Sequence, residues 1–128
     1  MISNDQFRQR LAELFRSQNL ATLATHNDGQ PYASLVAFHA SEDLKHICFV
    51  TPTTTRKFAN LTSDNRVAVM VNSSTNQASD FHRAISVTAI GRAEVVTDQT
   101  VKQYWSNTWP SILIWRSLCV RRHVPSYR

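Results

Sequence analysis

The chain is poor in the residues that cross-link or punctuate a fold. Its 128 residues include two cysteines, Cys48 and Cys119, and two glycines, Gly29 and Gly91. The two cysteines give neither a metal-site spacing nor a disulfide framework, so we expect Cys48 to pack in a strand. No apolar run approaches the ~20 residues of a membrane-spanning helix. The polar N-terminus lacks the apolar core of a secretion signal. These absences favour a cytoplasmic protein with no membrane partner.

Acidic residues are missing from the last 24 residues, 105–128, which contain four arginines and all three tryptophans. Residues 1–104 hold ten Lys/Arg and nine Asp/Glu, so the net charge of +5 belongs mainly to this tail. A dedicated nucleic-acid partner is therefore not expected. The length predicts one domain, comprising residues 1–104 and an atypical C-terminal tail at 105–128. We hypothesise that the reading frame slips near Tyr104; sequencing the gene without finding a slip would refute this.

Hydrophobic periodicity predicts a mainly β fold, an antiparallel barrel of about six strands with flanking helices. Strands are expected at 20–25, 31–40, 45–50, 66–71 and 83–96, and a replacement strand at 112–115. Helices are expected at 3–19, at about 54–62 and from 98 to 104, with a polar loop at 72–81. Asp28-Gly29 predicts a hairpin turn, and Gly91 predicts a bulge or bend within its strand. The apolar face of the first helix is expected to hold Phe7, Leu11, Leu14 and Phe15.

The most informative stretch is 47–61, a short apolar strand that ends in a polar turn and continues directly into a helix. Pro52 ends the strand, and the three threonines after it can cap the helix. Arg56 and Lys57 fall in the first helical turn, where free N–H groups and the positive end of the helix dipole favour an anion. These residues predict a phosphate site. A capped helix with two solvated basic side chains is the alternative.

A family resemblance rests on this stretch and three others. The chain resembles the FMN-binding split-barrel family of pyridoxamine 5'-phosphate oxidase, through Val50-Thr51-Pro52-Thr53-Thr54-Thr55-Arg56-Lys57, the Asp-Gly turn, Pro-Tyr-Ala-Ser-Leu-Val-Ala-Phe at 31–38 and Ile-Gly-Arg-Ala-Glu-Val-Val at 90–96. The resemblance covers residues 1 to about 104. It implies a split barrel, FMN as the cofactor and a homodimer with FMN at its interface.

The resemblance also implies a set of cofactor-binding residues. Thr55, Arg56 and Lys57 would hold the phosphate. The backbone of Ser34, Leu35 and Val36 in one strand, and of Val50 and Thr51 at the end of the next, would line the flavin ring. Asn76 and Gln77 in the polar loop are candidates for a contact to the ring from either protomer. Where the oxidase has an Arg-Gln pair this chain has Ile85 and Ser86, so Ser86 would make a weaker polar contact.

The expected function is that of an FMN-binding oxidoreductase that passes electrons between a reduced donor and a small acceptor. The flavin supplies the redox chemistry, and no side chain stands out as a catalytic acid, base or nucleophile. The five histidines show no metal-ligand spacing, so no metal is expected. A non-catalytic flavin- or heme-binding stress or sensor protein is one alternative. A barrel that has lost its ligand through the altered C-terminus is another.

Overall fold

The computed structural model describes residues 3–52, 54–96 and 117–122. Three helices lie in these segments: α1 (Asn4–Ser17), α2 (Arg56–Ser63) and the short α3 (Asp80–Arg83). Six strands accompany them: β1 (Leu20–Asn27), β2 (Gln30–Ala40), β3 (His46–Val50), β4 (Arg66–Asn72), β5 (Ser86–Val96) and β6 (Ser117–Arg122). No helix in this described part of the chain is long and apolar enough to cross a membrane.

The six strands form a closed barrel in the order β1-β2-β3-β6-β5-β4, and every neighbouring pair is antiparallel. The β1–β2 hairpin turns at Asp28 and Gly29, whose φ values are 49° and 80°. Positive φ at both central residues matches the twist of the flanking strands. The predicted hairpin and the predicted six-stranded antiparallel barrel are therefore confirmed.

Alternate residues of the strands fill the barrel. Leu23, Phe49, Val69 and Val71 are almost completely buried, as the two-residue period of a strand with one face inward requires. Helix α1 adds Leu11, Leu14 and Phe15 to the same core, and the ring of Phe15 meets that of Phe38 edge to face with centroids 6.2 Å apart. The core therefore joins α1 to the barrel interior.

Helix α2 is attached to the barrel by a buried polar contact. Asn60 and Thr25 are both almost fully buried, and Asn60 Nδ2 donates a hydrogen bond to Thr25 Oγ1 at 3.0 Å. A buried amide without a partner would cost about 1–3 kcal/mol, so this contact favours one seating of α2 on β1. The position of α2 matters because its first turn carries the predicted phosphate ligands.

Four expectations need correction. Phe7 is not in the core, since 52% of its side chain is exposed. The β4–β5 ladder keeps an unbroken register through Gly91, and the β5–β6 ladder ends at that residue, so the predicted bulge is absent there, while the alternative, a bend, stays a prediction. The predicted loop at 72–81 contains the start of α3 at Asp80. Finally, a strand in the tail lies at Ser117–Arg122, whereas the predicted strand at 112–115 and the helix from 98 to 104 lie outside the described residues.

Candidate functional site

The end of β3 leads into α2 through a turn held by threonine hydroxyls. Thr51 follows the last residue of β3 and is fully buried. Its Oγ1 lies 3.0 Å from Oγ1 of Thr55. Thr55 is the N-cap of α2, and its Oγ1 accepts a hydrogen bond from the N–H of Phe58 at 3.3 Å. The turn therefore fixes where the first turn of α2 begins.

The first turn of α2 is electropositive. It contains Arg56 and Lys57 and no acidic residue. Within the described segments neither side chain forms an ion pair; the ion pairs there join His26 and Arg66 to Asp64. The helix dipole and the free N–H groups of the first turn add to these two charges. The arrangement can bind a phosphate group, and the role of Arg56 and Lys57 as its ligands stays a prediction.

The hydroxyl of Thr55 already has a structural role. It donates to the carbonyl oxygen of Pro52 at 2.9 Å while it accepts from Phe58. A hydroxyl has one proton to donate, so Thr55 in this arrangement has none for a phosphate. Its placement beside Arg56 agrees with the prediction, but its contribution here is to cap the helix. Whether it touches a ligand stays a prediction.

Strand β2 has a long edge with no partner among the described strands. Residues 30–37 pair with β1 on one side, whereas the β3 ladder covers only residues 38–40. The N–H of Phe38 donates to the carbonyl of Asn19 on the β1 side at 3.2 Å. Because successive residues of a strand direct their main-chain groups to alternate sides, Leu35 directs its N–H and C=O away from β1. Of the predicted ring-binding residues, Leu35 therefore presents its main-chain groups at this open edge, whereas Ser34 and Val36 direct theirs toward β1.

One buried hydroxyl on this strand lacks a partner. Oγ of Ser34 is inaccessible to solvent and makes no hydrogen bond with any described residue. Ser34 lies directly opposite Leu23 in the β1–β2 ladder, on the face of β2 that also buries Val36. Buried polar atoms are rarely left unsatisfied. A polar ligand group at the open edge would fit this unsatisfied hydroxyl.

The loop between β4 and β5 is organised by one carboxylate. Asp80 accepts hydrogen bonds from the N–H of Thr75 at 3.0 Å and the N–H of Gln77 at 3.3 Å. These bonds, led by that from Thr75, hold the pKa of Asp80 below its usual value. Asn76 between them adopts a positive φ of 59°. Gln77 is exposed, and its place in the loop is set by Asp80.

The strand order separates the remaining predicted residues from the open edge. Ser86, the first residue of β5, lies opposite Asn72 of β4. Strands β4 and β1 come between β5 and β2 in the barrel. Five of the predicted residues lie close together in the sequence, between positions 50 and 57, next to the point where β2 and β3 diverge: Val50, Thr51, Thr55, Arg56 and Lys57. Within one chain the structure does not bring Gln77 and Ser86 to that place.

A charged cluster at the opposite end of α2 was not predicted. Asp64 follows α2 and accepts hydrogen bonds from Arg66 Nη2 at 2.7 Å and from its Nε at 3.0 Å. His26 Nε2 lies 3.0 Å from the same carboxylate. Arg66, chiefly through its side chain, lowers the pKa of Asp64 well below its usual range. The Asp-x-Arg spacing was visible in the sequence, but His26 is distant along the chain and could not be linked to it.

Comparison with known proteins decides the family. A family model described as pyridoxamine 5'-phosphate oxidase matches residues 7–117. The chain belongs to the pyridoxamine 5'-phosphate oxidase family. The match extends past residue 104, where the resemblance in the sequence ended, and reaches the first residue of β6. No curated protein shows significant similarity to the chain.

Solved structures share the split-barrel fold of this oxidase family. A FAD-binding protein from Mesorhizobium loti is 20% identical, with a TM-score of 0.70, and the match covers 91% of this chain and 87% of that one. The FAD-binding protein from Mycobacterium smegmatis is 16% identical, with a TM-score of 0.70 and coverage of 96% and 91%. The heme storage protein HutZ from Vibrio cholerae is 15% identical, with a TM-score of 0.74 and coverage of 91% and 89%. At these identities the similarity establishes the fold.

Proposed function

We propose that the chain is an FMN-binding oxidoreductase related to pyridoxamine 5'-phosphate oxidase. Its flavin would exchange electrons with an undefined small-molecule redox substrate in the cytoplasm. One observation carries the proposal: the electropositive start of α2 adjoins the point where β2 and β3 diverge, in a chain of this family. A phosphate site next to an unpaired strand edge fits a ligand with an anionic end and a flat ring with polar edges.

The phosphate end of this ligand would be held by α2. Arg56 and Lys57 supply two positive charges that no described acidic residue neutralises, and the helix start supplies N–H donors. Thr55 contributes by keeping that first turn in place through its cap. A phosphate is favoured over a carboxylate because it presents more acceptor oxygens to several donors.

The ring end would be bound by main-chain groups. Leu35 presents an N–H and a C=O at the open edge of β2, and a flavin ring has donors and acceptors along its polar edge. The adjacent Ser34 hydroxyl has no hydrogen-bond partner among the residues that the structure describes. No acid, base or nucleophile is needed from the chain, because the flavin carries out the electron transfer. The role of these residues is to bind and orient the cofactor.

The proposal includes a homodimer with FMN at the interface. The outer face of strands β2, β1, β4 and β5 has two rows of directly opposed residues without a charged side chain: Leu35, Thr22, Met70 and Thr88 in one, and Ala33, Ala24, Ala68 and Ile90 in the other. Leu35 and Ile90 are more than half exposed. An uncharged sheet face of this width suits burial against a second copy. A second copy could also bring Gln77 and Ser86 to the cofactor.

A second candidate function is non-catalytic binding of heme or another flavin. It is favoured by the structural neighbours, one of which is a heme storage protein and two of which are FAD-binding proteins. Heme has carboxylates instead of a phosphate, so it would make less use of the two basic residues at the start of α2. Its iron would also need an axial ligand.

Flavin reduction separates the two functions. The purified protein is loaded with FMN, freed of excess by gel filtration and mixed anaerobically with NADH or NADPH. The proposed enzyme retains the flavin absorption bands, loses them on reduction and regains them when oxygen is admitted. Retained flavin that neither NADH nor NADPH reduces would favour the binding protein, as would preferential uptake of added heme.

A further inference from the structure

The two cysteines, distant in the sequence, lie directly opposite each other in the barrel. Cys48 is on β3 and Cys119 is on β6, and the β3–β6 ladder pairs them. Cys48 is 1% exposed and carries no free thiol in the structure. Cys48 therefore packs in a strand as expected, but the expectation that the two cysteines provide no disulfide is wrong, because the structure holds no free thiol at Cys48. Strand β6 also pairs with β5, so the cysteine pair lies where the C-terminal strand closes the barrel.

The kind of pair can be read from the main-chain hydrogen bonds. His46, two residues before Cys48, accepts from the N–H of Ser41 at 2.9 Å, and its own N–H donates to Ser41 Oγ at 3.0 Å. His46 therefore directs its main chain toward the β2 side. Since this direction alternates along a strand, Cys48 also directs its main chain toward β2. On the β6 side, Cys48 and Cys119 thus form a pair without hydrogen bonds between them.

That pair type suits a disulfide. In antiparallel sheets the Cα atoms of a pair without hydrogen bonds lie about 4.5 Å apart, closer than in a hydrogen-bonded pair. Disulfides span Cα separations of roughly 4.4–6.8 Å. Bridging the two strands therefore needs little movement of the backbone. This geometry agrees with the absence of a free thiol at Cys48.

We propose that Cys48 and Cys119 form a redox-dependent disulfide that fastens the C-terminal strand to the barrel. The oxidant is a low-molecular-weight disulfide such as oxidised glutathione. One cysteine thiolate attacks it and releases the first glutathione thiolate, and the second cysteine attacks the mixed disulfide and releases the other. The protein loses two electrons and two protons, and one oxidised glutathione becomes two reduced molecules.

The consequence of this link is a barrel whose closure depends on redox state. The disulfide closes a loop of about 70 residues, and cross-links across long loops restrict the unfolded chain strongly. In a reducing compartment β6 would be held by its ladders to β3 and β5 alone. The proposal does not depend on flavin binding, so it can fail or succeed separately from the proposed function.

The test uses the full chain equilibrated with oxidised glutathione or with dithiothreitol, then denatured and treated with an alkylating reagent. The oxidised protein is expected to show no alkylated cysteine and one linked peptide pair containing Cys48 and Cys119. The reduced protein is expected to show two alkylated cysteines and a melting temperature lower by roughly 10 °C. Trypsin should cut after Arg121 and Arg122 several-fold faster in the reduced protein.

Cys119→Ser is the matched variant. Its melting temperature should not respond to the reductant and should equal that of the reduced parent protein. Reduction of the parent protein provides the same comparison if the variant fails to fold. Two alkylated cysteines after oxidation, a covalent dimer on a non-reducing gel, or a melting temperature indifferent to reduction would each overturn the proposal.

Discussion

Among single residues, the basic side chains near α2 differ in whether they form an ion pair. Arg66 is committed to Asp64 through two nitrogen atoms. Arg56 and Lys57, one helix length away, form no ion pair in the described segments. Basic side chains at the two ends of α2 therefore have different roles. Arg66 holds the chain after α2, whereas Arg56 and Lys57 are available to an anion.

Asp64 should make the protein sensitive to acid. Its pKa is lower in the folded than in the unfolded chain, chiefly because of Arg66, so its stabilisation is present above about pH 4 and is lost as the pH falls through the folded pKa. We expect Asp64→Asn to lower the melting temperature by a few degrees at pH 7. The difference from the parent protein should shrink below about pH 4. Melting curves across this range provide the measurement.

Asp28→Asn is the matched control for this change. Asp28 lies in the exposed β1–β2 turn and has no ion pair within the described residues. Asparagine also accepts the positive φ of this position. The control should melt like the parent protein at every pH. If the difference in melting temperature between Asp64→Asn and the parent protein did not change with pH, the ionised carboxylate would not be what stabilises this cluster.

At the scale of elements, the start of α2 depends on a side-chain cap. Thr55→Ala removes the acceptor for the Phe58 N–H and the contact with Thr51, and losing such a cap costs about 1 kcal/mol in free energy of unfolding. We expect urea unfolding to show this loss and FMN titration to show weaker binding, because Arg56 and Lys57 lose their fixed first turn. Thr55→Ser keeps the hydroxyl and should retain most of the stability and most of the FMN affinity. Equal loss in the two variants would argue against the cap.

Elements whose signals are local could be predicted from the sequence. Asp28-Gly29 forms the expected turn, because this feature depends on a few adjacent residues. The four-residue helix at Asp80 was missed because it is too short to show a period. Phe7 was wrongly expected in the core because helical spacing shows which residues share a face of α1, but not how much of that face the barrel covers.

Features that depend on strand pairing could not be predicted from residues alone. The open edge of β2 exists because the β3 ladder stops at residue 38, and no local pattern fixes that point. The opposition of Cys48 and Cys119 needs the register of a strand from the tail. The segment predicted to bind phosphate could be located from local sequence, because Thr55, Arg56 and Lys57 are consecutive and α2 begins among them.

At the scale of the whole molecule, the uncharged outer face predicts the oligomeric state. Met70 lies at its centre, opposite Thr22 on one side and Thr88 on the other. We expect the parent protein to be a dimer by light scattering and Met70→Glu to be a monomer, because two buried carboxylates at a self-associating face lack partners. Gln9→Glu adds the same charge on exposed α1 and should remain a dimer. A monomeric parent protein would refute the interface.

The phosphate site at the start of α2 is tested by comparing the binding of FMN with that of riboflavin, which lacks the phosphate. We expect the parent protein to bind FMN much more tightly than riboflavin. In Arg56→Ala/Lys57→Ala the affinity for FMN should fall by about 100-fold or more, while riboflavin binding changes little. Arg10→Ala/Arg16→Ala removes the same charge from α1 and should bind FMN like the parent protein. Undiminished FMN binding by the Arg56/Lys57 variant would contradict the account.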